Sequence, residues 1–171
     1  RLHETIPDFH NTTRRFYAFV AAVAEDRAGR VDALEDEIEF FFERRKMMNE
    51  IVRRLKTGEL PLRVTHNDTK SNNVLIDQET DEAICVIDLD TVMPGSSLYD
   101  FGDAVRFGAS TAAEDEEDLS KIGLDMEKYR LFTEGFLRET NGFLTEKEIG
   151  LLPLGVKAVS YTHLTLPTKR I

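Results

Sequence analysis

Residues 12–27, TTRRFYAFVAAVAEDR, set Phe16, Phe19, Val20 and Val23 at helical spacing behind Thr12 and Thr13, either of which can cap a first turn with its hydroxyl oxygen. The spacing predicts an amphipathic helix. Gly29 interrupts it, and a second stripe runs through residues 32–57, with Leu34, Ile38, Phe41, Met48, Val52 and Leu55 on one face. Asp32 with Glu35 resembles a capping box at the start of this second helix. Arg53, Arg54, Lys56 and Gly58 suit its end, where cations meet the negative pole of the helix and glycine accepts left-handed backbone. The Phe and Met stripe reads as core packing rather than a binding surface.

The period then changes. Residues 62–65 (LRVT), 74–76 (VLI) and 83–87 (AICVI) are short runs rich in β-branched side chains between polar turns. They predict strands, the last two joined by DQETDE as a hairpin. Beyond Pro94 and Gly95 the helical period returns over 98–108, 126–139 and 145–157, with the acidic stretch TAAEDEEDLSK as a surface loop. The acidic run 114–118 reads as a solvated face without chemistry. The expected fold class is mainly α with a small β-hairpin sheet, an α+β arrangement. Cys85, the single cysteine, sits in the apolar run AICVI and is expected as an inert buried strand residue.

Residues 159–168, VSYTHLTLPT, break the pattern, having neither the helical period nor the charged character of what precedes them. Back-translated in one frame, they resemble read-through of the adapter used in transposase-based sequencing libraries. Residues 159–171 are therefore expected to be a non-native tail, and Tyr161 and His163 are given no functional role.

Composition narrows the function. A chain of 171 residues, 41% hydrophobic, is long enough for one ordinary domain and holds no apolar run long enough to span a bilayer. Its net charge of −10 opposes a nucleic-acid or anionic-membrane partner, since phosphate backbones and acidic headgroups would be repelled. Any phosphate bound here needs a local device. No signal peptide is visible, and a cytoplasmic location is expected, although the chain begins at Arg1 rather than Met.

Residues 65–77, THNDTKSNNVLID, supply that device. They order His66, Asp68, Lys70 and Asn73 as H-x-D-x-K-x-x-N, and a strand later Asp88 follows in IDLD. An Asp and an Asn five positions apart on a loop can aim a carboxylate at a substrate hydroxyl and an amide oxygen at a hard cation. A second carboxylate from a neighbouring strand end would complete an oxygen-rich site. Phosphoryl transfer needs this set, because its catalysis is mostly positioning plus neutralisation of charge on the transferred group.

HNDTKSNN resembles the catalytic loop of the protein-kinase-like fold, and IDLD its metal-binding counterpart. HNDTKSNNVLID followed by CVIDLDTVMPGSSLYDFGD is similar to the aminoglycoside phosphotransferase and choline kinase branch, most of all to its N-acetylhexosamine 1-kinases. The similarity extends over most of residues 1–158, including LHETIPDFHNT and LLPLGVKA. It implies that residues 1–158 are the C-terminal lobe of a kinase-like phosphotransferase using ATP and Mg2+ on a small-molecule hydroxyl, the anomeric hydroxyl of an amino sugar. Asp68 would be the catalytic base, Lys70 a phosphate contact, and Asn73 and Asp88 the metal ligands. Asp90 would assist the metal or contact the sugar, His66 and Asp100 would support the loop, and Arg106 is a candidate for the phosphate or substrate, beside the plainer reading of a surface ion pair.

Upstream of His66 the only glycines are Gly29 and Gly58, both at predicted helix ends, and no strand hairpin precedes the loop. The N-terminal lobe is expected to be absent and the fragment alone inactive. Three alternatives stand beside this reading. A choline or aminoglycoside kinase would share the loop. A glycosyltransferase would use Asp88 and Asp90 as D-x-D but leave Asp68, Lys70 and Asn73 idle. A non-enzymatic kinase-like module would predict loss of Asp68 or Asp88, and both are present.

Overall fold

Helix α1, Thr12–Glu25, begins one residue earlier than its hydroxyls suggested. Asn11 is the cap, its side-chain oxygen accepting the N–H of Arg14. Thr12 is already helical and buried, and its hydroxyl donates instead to the Met48 carbonyl. The structure is a computed structural model and describes residues 2–164.

The long helix expected over 32–57 is two helices, α2 (Glu35–Glu43) and α3 (Arg45–Thr57), broken at Arg44 and preceded by a 3-10 turn at Val31–Ala33. Asp32 falls in that turn and caps nothing; Leu34 holds the cap position without a side-chain bond. Two rings of α2 lie against α1: Phe41 packs 4.9 Å from Phe19, and Phe42 packs 5.7 Å from Phe16. α3 ends at Gly58 with φ +74, as the sequence suggested.

Two small antiparallel sheets follow. β1 (Arg63–Thr65) pairs with β4 (Met93–Gly95), and β2 (Val74–Ile76) forms a hairpin with β3 (Ala83–Val86). β4 carries Pro94 and shows no strand pattern of its own; its pairing with β1 across 28 residues defines it. The hairpin turn is tied by Asp77, whose carboxylate accepts the N–H groups of Glu79 and Thr80. Every β3 residue is exposed, so Cys85 is a solvent-facing thiol and not the buried residue expected. Its apolar surroundings in sequence do not become surroundings in space, because neither face of this hairpin is covered among the described residues.

The remaining helices are α4 (Ser97–Gly108), α5 (Met126–Glu139) and α6 (Glu146–Leu164), the first two capped by Ser96 and Asp125. α4 crosses α6 so closely that a Cβ on Gly155 would lie 2.2 Å from the Leu98 carbonyl oxygen, and one on Gly102 would lie 2.4 Å from that of Gly155. Around this crossing Leu98, Phe101, Val105, Leu152 and Val159 form the main core with Ile51 and Leu60. Each such burial contributes about 1.5–3 kcal/mol. A second cluster joins Phe16, Met48 and Tyr161.

α6 was expected to stop at residue 157 but continues through Leu164, with Val159, Tyr161 and Thr162 buried. Burial against α1, α3 and α4 overrides the weak helical period of that segment. Residues 165–171, the rest of the expected tail, lie outside the described residues. The chain is thus mainly helical with two two-stranded antiparallel sheets. Among the described residues no helix is long and apolar enough to cross a membrane.

Candidate active site

Strand β1 delivers the chain into residues 66–73, a loop hung beneath the start of α4. Asp100, in the first turn of that helix, accepts the N–H of Asn67 at 2.7 Å and of His66 at 3.0 Å, and its carbonyl accepts the Thr69 hydroxyl at 2.6 Å. Ser96 caps the helix. Burial pushes the Asp100 carboxyl up, and the two backbone N–H bonds counter it.

Asn67 has φ +68, a left-handed conformation that Asn tolerates better than most residues. A full set of bonds holds it there. Its Nδ2 donates to the carbonyls of Thr91 and Thr65, and its Oδ1 accepts from the Thr65 hydroxyl at 3.0 Å. Thr91 donates to the His66 carbonyl at 2.6 Å. Gly95 closes the packing, since a Cβ there would meet Thr65 Oγ1 at 2.3 Å. The two strands β1 and β4 thereby serve as a clamp beneath the loop.

His66 is bonded at both nitrogens. Nε2 donates to the Ile87 carbonyl at 2.9 Å, and Nδ1 accepts the Asp68 N–H at 3.3 Å. Since a carbonyl only accepts, the proton sits on Nε2. The ring bridges the loop to the end of β3 and takes up both of its polar atoms in doing so.

Asp68 Oδ2 accepts from Asn73 Nδ2 at 3.1 Å and lies 3.2 Å from Lys70 Nζ. Asn73 also donates to the Asp68 carbonyl at 2.8 Å. That use of Nδ2 leaves Asn73 Oδ1 as an acceptor with no hydrogen bond among the described residues. The Asn73 carbonyl takes the N–H of Ile87 at 2.9 Å, which brings the next residue, Asp88, beside the loop. Asp88 is exposed with φ +61, and its carboxylate has no partner among the described residues. Asp90 is exposed in the 3-10 turn Leu89–Thr91, and its carbonyl accepts the Thr5 hydroxyl at 3.2 Å.

Asn73 Oδ1 and the Asp88 carboxylate are both hard oxygen donors, as Mg2+ requires. Among the described residues no group of three or more His, Cys, Asp and Glu forms a metal cage. Two protein oxygens suit a cation that keeps waters and takes phosphate oxygens for the rest of its shell. The donor set therefore fits Mg2+ carried on a nucleotide.

The structure brings Asp68, Lys70 and Asn73 together, with Asp100 and His66 bonded to the same loop and Asp88 alongside. It does not bring Arg106. That guanidinium bonds Asp103 Oδ1 at 2.9 Å and Glu114 at 2.9 Å, the ion-pair arrangement that was its plainer reading. Both partners neutralise it, and Asp103 is fully buried. Sequence reading assigns Asn67 only to the loop's own backbone and passes over the positioning roles of Thr65 and Thr91. Only the Asn just before the Asp carried a hint, because Asn is enriched where φ is positive.

Residues 1–132 match the sequence model of a family described as "Phosphotransferase enzyme family". A solved structure described as an aminoglycoside-3'-phosphotransferase of type VIII is similar at 24% identity, over 84% of this chain and 49% of that one, with a TM-score of 0.43. The chain thus spans about half the length of that protein.

Proposed function

The chain belongs to the phosphotransferase enzyme family, and from that premise we propose that the complete protein moves a phosphoryl group from ATP to a small-molecule hydroxyl. The observation that carries this reading is the junction of Asp68, Lys70 and Asn73 on one clamped loop, with an Asn73 oxygen and the Asp88 carboxylate beside it, both without a partner among the described residues. When bound, ATP with Mg2+ supplies the phosphoryl group and the cation that spreads its charge.

The residues of this chain divide the remaining work. Asp68 orients the acceptor hydroxyl and takes its proton as the oxygen attacks. Asn73 and Lys70 keep that carboxylate in one position, which turns a diffusional encounter into a prepared one. Lys70 Nζ, beside Asp68, sits where negative charge on the transferred group can be met. Asn73 Oδ1 and Asp88 would hold the cation, Asp90 stands on the exposed side for metal or acceptor, and His66 and Asp100 keep the loop in place.

The acceptor we propose is an N-acetylhexosamine, phosphorylated at its anomeric hydroxyl; the support is the similarity of HNDTKSNNVLID and its flanks to that group of kinases. The complete gene product, given N-acetylglucosamine, N-acetylgalactosamine, choline and an aminoglycoside in parallel, should phosphorylate the two amino sugars best. Fastest turnover of choline would reject the sugar assignment and keep the kinase. We also propose that the 171 residues alone are inactive, because everything described before β1 is helical or irregular and offers no strand pair to cover a nucleotide. ATP turnover by the 171-residue chain at an ordinary rate of about 1–100 per second would overturn this.

A further inference from the structure

His10 lies 57 residues from the loop in sequence and touches it in space. Its ring is buried, packed 4.8 Å from the Tyr99 ring and 4.7 Å edge-on from Phe9. Its Nε2 is 2.8 Å from the carbonyl oxygen of Asn67, the residue just before Asp68. A carbonyl oxygen accepts only, so Nε2 bears the proton and Nδ1 of the neutral ring is left as an acceptor. Burial lowers the imidazole to about 4, so the ring is neutral at ordinary pH.

Nδ1 is one of two buried side-chain atoms without a hydrogen-bond partner among the described residues; the other is Oδ2 of Asp103. Asp103 stands one helical turn beyond Tyr99, on the same face of α4, and its charge is felt at the His10 ring. Burial would raise the Asp103 carboxyl, but His163 and the Arg106 guanidinium outweigh it and hold the group below its ordinary range. Both orphans are therefore acceptors. Two acceptors cannot satisfy one another, and buried polar atoms are rarely left bare. A group shared between them would have to donate twice, as a water molecule can.

We propose that one internal water donates to both His10 Nδ1 and Asp103 Oδ2, and that His10, oriented in this way, is a positioning residue for Asp68. The second half rests on the phosphotransfer reading above. The Asn67 carbonyl belongs to the peptide that enters Asp68, and Asn67 holds a left-handed φ. Without a donor on that carbonyl the peptide is freer to rotate, and rotation swings the Asp68 carboxylate. Thr5, on the same N-terminal segment, bonds the Asp90 carbonyl. Residues 2–11 thus grip the backbone at two points of the site.

The test uses the complete gene product. His10→Phe keeps the ring packing and removes the donor; its kcat should fall roughly tenfold, below the roughly 100-fold cost of a 1 Å misplacement. The KM for ATP should stay within about twofold, and His10→Gln, which restores an N–H, should recover most of the loss. A role in folding alone would lower the melting temperature of both variants and leave kcat of the folded fraction unchanged, which would overturn the positioning role. Asp68→Asn in parallel tests the underlying reading: lost turnover there with normal turnover in His10→Phe rejects only the inference. The water is tested without activity, by 15N NMR of histidine-labelled protein. A protonated Nε2, a bare Nδ1 and magnetisation transfer from a long-lived water at pH 7 are expected. An Nδ1 that carries the proton at that pH would mean direct pairing with Asp103 and would remove the water.

Discussion

Where α4 crosses α6, Leu98, Val105 and Val159 are wholly shielded, whereas on the hairpin β2–β3 Leu75, Ile76, Ile84 and Val86 stay about half exposed, at 48–65%. The two regions carry comparable apolar side chains and handle them in opposite ways. The crossing is held by burial and by two glycines that let the backbones meet. The hairpin is held by ladder bonds, a tied turn and the two bonds of Ile87, its N–H to Asn73 and its carbonyl from His66. The loop of Asp68 lies between them. Asp100, on the shielded side, fixes its backbone, while Asp88 enters from the open side with its carboxylate unpaired among the described residues. Backbone anchoring comes from one side, and exposed side chains stand on the other.

The contrast predicts that substitutions on the open side change rate and those on the shielded side change stability. Asp68→Asn in the complete protein should lower kcat by about 10^2–10^4-fold with stability kept within about 0.5 kcal/mol, read by steady-state kinetics and urea unfolding. A large loss of stability with it would mean that Asp68 belongs to the scaffold. Glu148→Gln should act in the opposite sense. Glu148 is fully buried at the start of α6, where it takes a two-point ion pair from Arg63 and bonds from Ser97 and Thr145. Breaking such a pair costs about 3 kcal/mol.

The same group sets an acid limit. Although burial alone would raise it, Arg63, Thr145 and Ser97 hold the Glu148 carboxyl down to about 2 against an ordinary 4.5. Because the folded value is the lower one, its contribution is complete above pH 4.5 and is lost as pH falls toward 2. That loss is about 3 kcal/mol. Urea midpoints of the wild-type chain should fall through this window, and those of Glu148→Gln should fall less.

Gly155→Ala comes next. The added Cβ meets a backbone oxygen, so the two helices must separate, at about 1–3 kcal/mol; an unchanged midpoint would deny the close crossing. Smallest is Ile84→Thr on the hairpin, expected within about 0.5 kcal/mol. Cys85 should also react with a thiol reagent in the folded chain as fast as an exposed cysteine does. Protection there would mean that something covers this face.

Particular residues show how far the sequence could be read. The H-x-D-x-K-x-x-N spacing named Asp68, Lys70 and Asn73, and the structure gathers them, because a loop of eight residues leaves little freedom of placement. Helices α4 and α5 and the β2–β3 hairpin lie where period and turn residues put them. The break at Arg44, the strand at Met93–Gly95 and the last turns of α6 were illegible, since each follows from a partner distant in sequence. Cys85 shows the same limit in reverse. An apolar run promises burial only if another element arrives to cover it.

By itself, then, the sequence determined what short-range chemistry can determine: the helix-forming stripes, the hairpin turn at Asp77, the glycine end at Gly58 and the oxygen-rich loop. The tertiary structure alone decided that Arg106 is spent on Asp103 and Glu114, that Asp100 secures the loop from below, and that His10 reaches the carbonyl before Asp68. Each of those depends on bringing groups together across 33 to 57 residues or on which neighbour wins a contested charge. Local spacing along a chain contains no term for that competition; tertiary packing resolves it.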